Sequence, residues 1–288
     1  MKDIKICVIG GDRRQGYLAN QLSNEGFSVS AYGVTGYENF HSLEFALEGA
    51  KVVILPLPVS PDGVFLSSSS DDGRLRILHL LDTFTRFGVS KIIGGNFKKE
   101  LLLEIDKRGI EVYDFAKSEA LLVKNALCTA EGAIEIAMRE LPINIQDSHS
   151  AVIGYGRIAR LLTRRLIALG GKVSVFARRS EAIACANCDG AAGFNIADIK
   201  EMLATSDVIF NTVPAMILDR QELSVLNKNT LIIDLASAPG GVNLSEVKTL
   251  GLKAIWALSL PGKYAPETAA KIICDEIRDK LAVGGDTP

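Results

Sequence analysis

Apolar positions along this chain change period several times, and each change marks an element. Within residues 148–180, Ala151, Val152 and Ile153 form a short apolar run of strand character that stops at Gly154-Tyr155-Gly156. Ile158, Leu161, Leu162, Leu166 and Leu169 then recur at three- and four-residue intervals, as one face of a helix does. That helix is predicted to end at Gly170-Gly171, with a second strand over 172–177. The N-terminal half repeats the alternation. A strand over 4–9, a helix through Leu18 and Leu22 and a strand over 27–31 come first. A strand over 52–55 then runs into Pro56-Leu57-Pro58. A helix through Leu75, Leu78 and Leu81, with His79 on its packed face, leads to a strand over 91–93. Later strands are predicted over 207–210, 231–233 and 253–257. Residues 60–73, rich in Ser, Asp and Gly, read as a mobile loop, and 284–288 as a disordered tail.

Strands alternating with helices predict parallel sheets, with ligands beyond the carboxyl ends of the strands. The expected fold is α/β: two doubly wound parallel-sheet (Rossmann-like) domains with an interdomain cleft. Residues 1–125 form an N-terminal substrate domain in this reading, and 147–265 a nucleotide-binding domain. The long helical stretch over 117–141 supplies an interdomain helix at 126–146. A last helix over 266–283, with Ala269, Ile272, Ile273 and Ile277 on one side, packs back on the first domain.

The strand, glycine turn, helix and strand around Gly154 make a dinucleotide-binding fingerprint. Gly154 permits the sharp turn, Gly156 lets the backbone approach a pyrophosphate, and Ala159 allows close helix packing. Tyr155, Arg157 and Ile158 complete the segment, whose helix N-terminus favours phosphate charge. The second strand bears on the choice of cofactor. An NAD site usually carries an acidic residue near its end, whereas this strand ends in Arg178, Arg179 and Ser180. Two guanidinium forks and a hydroxyl suit a 2′-phosphate, so NADP is expected; the alternative is a solvated basic corner.

Composition narrows the rest. The chain has 288 residues and a formal net charge of −2, which advertises no nucleic-acid surface. No apolar run approaches a membrane span. Asp3 interrupts any signal-peptide pattern, and a cytoplasmic location is expected. Cys7, Cys128, Cys185, Cys188 and Cys274 are scattered, and Cys185 and Cys188 form a lone C-x-x-C taken as chance spacing. His41, His79 and His149 show no ligand spacing, so no metal is expected and no catalytic histidine stands out.

Several motifs occur in one order: G-G-D-R-R-Q at 10–15, I-L-P-L-P-V-S at 54–60, T-A-E-G at 129–132 and G-Y-G-R at 154–157. N-T-V-P-A-M-I-L at 211–218, L-I-I-D-L-A-S-A-P-G-G at 231–241 and L-P-G-K-Y-A-P-E-T-A-A at 260–270 follow. Along essentially its whole length the chain resembles the family of bacterial dipicolinate synthase A subunits. The resemblance implies a sporulation enzyme that oxidises 2,3-dihydrodipicolinate to dipicolinate with NADP, on a fold like the D-2-hydroxyacid and alanine dehydrogenases. It also implies a second, flavoprotein-like subunit, and homo-oligomers are expected. Cys128 stands where the family usually has proline, and Leu258-Ser259 where Pro-Gly is more usual.

By analogy with two-domain dehydrogenases, Asn211, Thr212, Val213 and Pro214 should face the dinucleotide. The same is expected of Asp234, Leu235 and Ala236, and of Ser259, Leu260 and Pro261. Glu131 is the candidate base or proton relay, with a solvated helix carboxylate as the alternative, and Thr129 lies beside it. Arg13 and Arg14, at a helix start after Gly10-Gly11, are expected to grip a substrate carboxylate. Asp12 fixes the arginine, and Gln15 and Asn96 add donors; alternatively both arginines cap a solvated turn. Two other functions remain open: an NADP-dependent oxidoreductase of a hydroxy or imino acid, and a non-catalytic NADPH-binding subunit.

Overall fold

The computed structural model describes residues 4–68 and 75–281. Residues 69–74 of the predicted loop, and the tail at 284–288, lie outside the described residues. The chain divides into two compact units, 1–125 with 265–288 and 126–264.

Unit 1 contains β1 (Lys5–Ile9), α1 (Arg13–Asn24), β2 (Ser28–Tyr32), α2 (Leu43–Leu47) and β3 (Ala50–Ile54). It continues with α3 (Ile77–Arg86), β4 (Lys91–Gly94), α4 (Lys99–Asp106) and β5 (Glu111–Asp114). The five strands are all parallel, in the order β2-β1-β3-β4-β5. Helices cover both faces, so β1 is continuously apolar and buried from Ile6 to Ile9 rather than alternating. Cys7 and Ile9 pack with Val53 and Leu55 on one face, and Ile6 and Val8 with Val52 and Ile54 on the other.

Helix α5 runs unbroken over Glu119–Glu140, and the division between units falls within it. Unit 2 continues with β6 (His149–Ile153), α6 (Arg157–Ala168), β7 (Lys172–Ala177), α7 (Ser180–Cys188), β8 (Ala192–Asn195) and α8 (Ile199–Met202). Then come β9 (Val208–Asn211), α9 (Arg220–Leu223), β10 (Leu231–Asp234), α10 (Leu244–Thr249), β11 (Lys253–Trp256) and α11 (Leu260–Tyr264). Its six parallel strands are ordered β11-β10-β9-β6-β7-β8, the doubly wound dinucleotide-binding order. Phe176 and Phe210 are fully buried on opposite faces, and truncating either to Ala costs about 3–5 kcal/mol.

The last helix, α12 (Pro266–Ile277), belongs to unit 1 and buries Ala269, Ala270, Ile273, Cys274 and Ile277. Tyr113 Oη donates to Glu276 Oε1 at 2.7 Å, and Arg278 Nη2 to Glu25 Oε1 at 2.8 Å, so the helix is fastened at the sheet and at α1.

Four local expectations are corrected. Helix α3 starts at Ile77, leaving Leu75 before it, and Leu78 and His79 face solvent. Leu169 is the C-cap of α6 and is exposed, because the helical stripe has already left the core at Leu166. Residues 60–68 are fastened rather than loose. Asp62 Oδ1 accepts from the backbone N–H groups of Val64 and Phe65, and Ser67 N donates to Val59 O.

Candidate functional site

Strand order in unit 2 reverses between β6 and β9, which opens a crevice at their carboxyl ends. Gly154 leaves β6 with φ +92°, a left-handed conformation that glycine adopts without strain. A Cβ there would stand 2.5 Å from Thr212 Oγ1 and 2.9 Å from Val213 Cγ2. Thr212 is itself pinned across the switch point, its backbone N–H and its hydroxyl both donating to Ile153 O, at 3.0 and 2.7 Å.

Gly156 serves a different need. It is the N-cap of the twelve-residue α6, and a Cβ on it would meet nothing within 4 Å. The space beside it is open, and the positive end of the α6 dipole points there. Ala159 is fully buried and lets α6 lie close to the sheet. Arg157 is exposed and Ile158 half-buried beside the turn. This arrangement fits a dinucleotide pyrophosphate.

Arg178, Arg179 and Ser180 are exposed between the end of β7 and the first turn of α7, on the strand next to β6. Arg179 Nη1 pairs with Glu181 Oε1 at 2.7 Å, but both side chains are about two-thirds exposed, where such a pair is worth little. The guanidinium groups at this corner are therefore accessible to a phosphate.

Other expected cofactor residues are turned inward, and this is a correction. Asn211 and Asp234 are fully buried and spend their side chains on the protein. Asn211 Nδ2 donates to Asp234 Oδ1 at 2.8 Å and to Val213 O at 3.0 Å. Asp234 also accepts from Ala236 N at 3.1 Å and Gly241 N at 2.9 Å. A buried carboxylate requires such donors, and here they tie together the loops after β9 and β10.

Tyr155 is likewise buried; its hydroxyl donates to Asp189 at the end of α7, and Arg160 lies over its ring. Burial, and then the Asp189 carboxylate, push the phenol above its usual range. Leu235, Ala236, Leu260 and Pro261 have buried side chains, so their only route to a ligand is the backbone. Thr212 and Val213 are half-buried, and Pro214 and Ser259 exposed. Ser259 takes φ +59° at the entry to α11, which is physically why glycine suits that position.

Thr129 is half-buried on α5. Glu131, one residue before the buried Gly132, has a side chain 60% exposed and accepts from Arg165 Nε at 3.3 Å. Arg165 is on the last turn of α6, opposite the end that carries Gly156. Glu131 thus lies in a groove of about 640 Å³ along α5 and α6, shared with Ile134, Glu135, Met138 and Arg139. The structure does not bring it to the glycine turn.

In unit 1 the strand order reverses between β1 and β3. Asp12 caps α1, and Arg14 folds back on it, with Nε donating to Oδ1 at 2.8 Å and Nη2 to Oδ2 at 2.8 Å. Arg14 Nη2 also donates to Leu57 O at 2.8 Å. Burial pushes the Asp12 carboxyl up, but the Arg14 bonds and charge outweigh it and hold the group below its ordinary range. Arg13 is exposed, beside Tyr17, Asn20 and Thr35 in a cavity of about 220 Å³. The shared grip expected of the two arginines is thus corrected: Arg14 is buried and committed, and Arg13 points elsewhere. Gln15 is buried under Gly11, while Asn96 is exposed, its N–H donating to Asp114.

Sequence reasoning passed over Asp189, Arg165 and Ser67. Arg165, half-buried on α6, and Asp189, half-buried at the C-cap of α7, belong to no motif, and Ser67 lies in a stretch read as loop.

Comparison with known proteins follows the same division. The family model for the N-terminal domain of the dipicolinate synthase A subunit matches residues 5–116. That of the D-isomer specific 2-hydroxyacid dehydrogenase NAD binding domain matches residues 127–241. The A subunit of dipicolinate synthase from Bacillus subtilis (strain 168) is 30% identical over 288 residues, covering 97% of this chain and 96% of that protein. The chain belongs to the family of dipicolinate synthase A subunits.

Two solved structures of this family agree. The dipicolinate synthase A subunit from Bacillus halodurans superposes with a TM-score of 0.86 at 26% identity, over 99% of this chain and 100% of that one. The A chain of dipicolinate synthase from Bacillus subtilis gives 0.82 at 28% identity, over 98% and 96%. With its dehydrogenase-type NAD(P)-binding domain, this family member is an oxidoreductase. Among the described residues no helix is long and apolar enough to cross a membrane, and no group of three or more His, Cys, Asp or Glu could hold a metal.

Proposed function

We propose that this chain oxidises 2,3-dihydrodipicolinate to dipicolinate with NADP. The observation that carries the reading is the open Gly156 at the α6 N-terminus beside two exposed arginines at the end of the neighbouring strand. It is joined by a whole-length relative named for dipicolinate synthesis.

Gly156, Arg157 and the first turn of α6 hold the pyrophosphate, and Arg178, Arg179 and Ser180 hold the 2′-phosphate. Val213, Pro214 and Ser259 border the crevice from the neighbouring loops. When bound, the dinucleotide supplies the hydride acceptor. Aromatisation of the dihydropyridine releases one hydride and one proton, so the protein's part is to orient the ring and let the proton leave. Glu131 is not assigned the proton in this reading, because Arg165 holds it on the flank of α6.

The substrate is a small dicarboxylate, and unit 1 is the part that holds it. The relatives are A subunits of dipicolinate synthases, which supports a second subunit in the working enzyme.

The test is the conversion of freshly prepared dihydrodipicolinate by the purified chain. Dipicolinate formation that requires NADP supports the reading. Cofactor binding without turnover, even with the second subunit present, would favour a non-catalytic NADPH-binding role.

A further inference from the structure

The switch point of unit 1 is a built site whose remaining donors are not those the motif advertises. The turn after β1, the first residues of α1, Leu55–Leu57 after β3 and the Leu66–Ser68 segment meet there. Most backbone donors at this spot are consumed. Gly10 N donates to Tyr32 O at 3.0 Å, Gly11 N to Ser67 O at 2.8 Å and Gln15 N to Asp12 O at 2.9 Å. Arg14 N donates to Asp12 Oδ1 at 3.0 Å, and the Arg14 guanidinium bonds to Asp12 and Leu57 O.

Two side-chain donors are left over. Gln15 is 3% exposed, and its Nε2 has no partner; Ser67 Oγ is buried with none either. The two residues come from different segments, and both lie against Gly11. A Cβ on Gly11 would stand 2.3 Å from Gln15 Cγ and 3.2 Å from Gln15 Cδ, so the amide folds back over Gly11 instead of running along α1. Ser67 is attached to Gly11 through its own carbonyl. Buried polar groups without partners are rare, because burial removes water and gives nothing in return. The Gln15 amide nitrogen lacks an acceptor and the Ser67 hydroxyl is free to donate to one, near the positive end of a twelve-residue helix.

We propose that Gln15 Nε2 and Ser67 Oγ are the seat for one carboxylate of the substrate. The inference rests on the dicarboxylate reading above and deepens it. It takes the anion from neutral donors and the helix dipole, and it leaves Arg14 where it is observed, locked to Asp12. A carboxylate suits better than a neutral carbonyl because it offers acceptor lone pairs on two oxygens to two separate donors.

Calorimetric titration of the full chain with dipicolinate, the stable product, tests the seat without turnover. Gln15→Leu and Ser67→Ala should each weaken dipicolinate binding about tenfold, with NADPH affinity unchanged. Ser67→Ala removes one oxygen and leaves the backbone bonds of Ser67, so it decides the matter if Gln15→Leu folds poorly. Wild-type dipicolinate affinity in both variants would mean that the two donors hold only water, and would overturn the seat. Failure of the unaltered chain to bind dipicolinate would overturn the dicarboxylate reading and the seat together.

Discussion

Asn211 and Asp234 are register partners on adjacent strands β9 and β10, and Asn211 Nδ2 lies 2.8 Å from Asp234 Oδ1. Both are buried, and between them they bond to the backbone of Val213, Ala236 and Gly241. This pair shapes the crevice from beneath. A Cβ on Gly241 would lie 2.3 Å from Asn211 Nδ2, so the glycine is what lets the loop close over it.

Asp234→Ala should therefore act on folding. It strands the Asn211 amide and two backbone N–H groups, and should cost about 3 kcal/mol. Denaturant unfolding checks this. A loss below about 1 kcal/mol would mean that the pair is dispensable.

The two glycines of the turn should separate folding from binding. Gly154→Ala places a methyl against Thr212 and Val213 at a left-handed φ and should destabilise by about 2 kcal/mol. Gly156→Ala meets no atom within 4 Å, so stability should stay near wild type. Its NADPH affinity should nevertheless fall at least about tenfold, because the methyl occupies the pyrophosphate's space. Unfolding curves and fluorescence titration of NADPH distinguish the two. Full NADPH affinity in Gly156→Ala would remove the turn from the cofactor site.

Arg178→Ala with Arg179→Ala should weaken NADP binding by about 2–3 kcal/mol and leave NAD nearly untouched, since each charge-assisted bond is worth roughly 1.5–3 kcal/mol. The Glu181 partner of Arg179 is too exposed to offset this. Equal losses for both cofactors would make the basic corner a solvated surface.

The Asp12–Arg14 pair predicts an acid limb. The folded-state pKa of Asp12 is lowered, so its contribution to stability is complete above the unfolded value of about 3.9 and is lost as pH falls through the folded value. Asp12→Asn should reduce stability by about 1 kcal/mol near pH 6, a figure discounted for partial solvent screening, and by almost nothing once the wild-type carboxyl is protonated. Parallel pH–stability curves for the two proteins would contradict this.

Legibility in the sequence followed burial. The central strands of both sheets were readable because a parallel strand covered on both faces carries an unbroken apolar run, as Ile6–Ile9 of β1 and Ala151–Ile153 of β6 do. The edge strands β5 and β8 were not predicted. They are short, none of their residues is fully buried, and a sequence such as A-G-F-N carries no strand period. The glycine turn was legible because each residue has a local geometric task. The direction of the Asn211 and Asp234 side chains was not, since a polar residue at a strand end reads alike whether it faces a ligand or pins a loop. The partner of Glu131 was not legible for the same reason, as Arg165 is 34 positions away. Gln15 was named as a donor, but its orphaned state depends on Gly11 and on Ser67, which only the fold brings together.

The central claim is that this chain transfers a hydride from a dihydropyridine dicarboxylate to NADP. The most direct measurement follows reduced-nicotinamide absorbance when the purified chain meets NADP and freshly made dihydrodipicolinate, with and without the second subunit. The account predicts NADPH formation matched mole for mole by dipicolinate, far slower with NAD and, at limiting NADP, slowed in Gly156→Ala. No NADPH under either condition, from a folded chain that binds NADP, would contradict it.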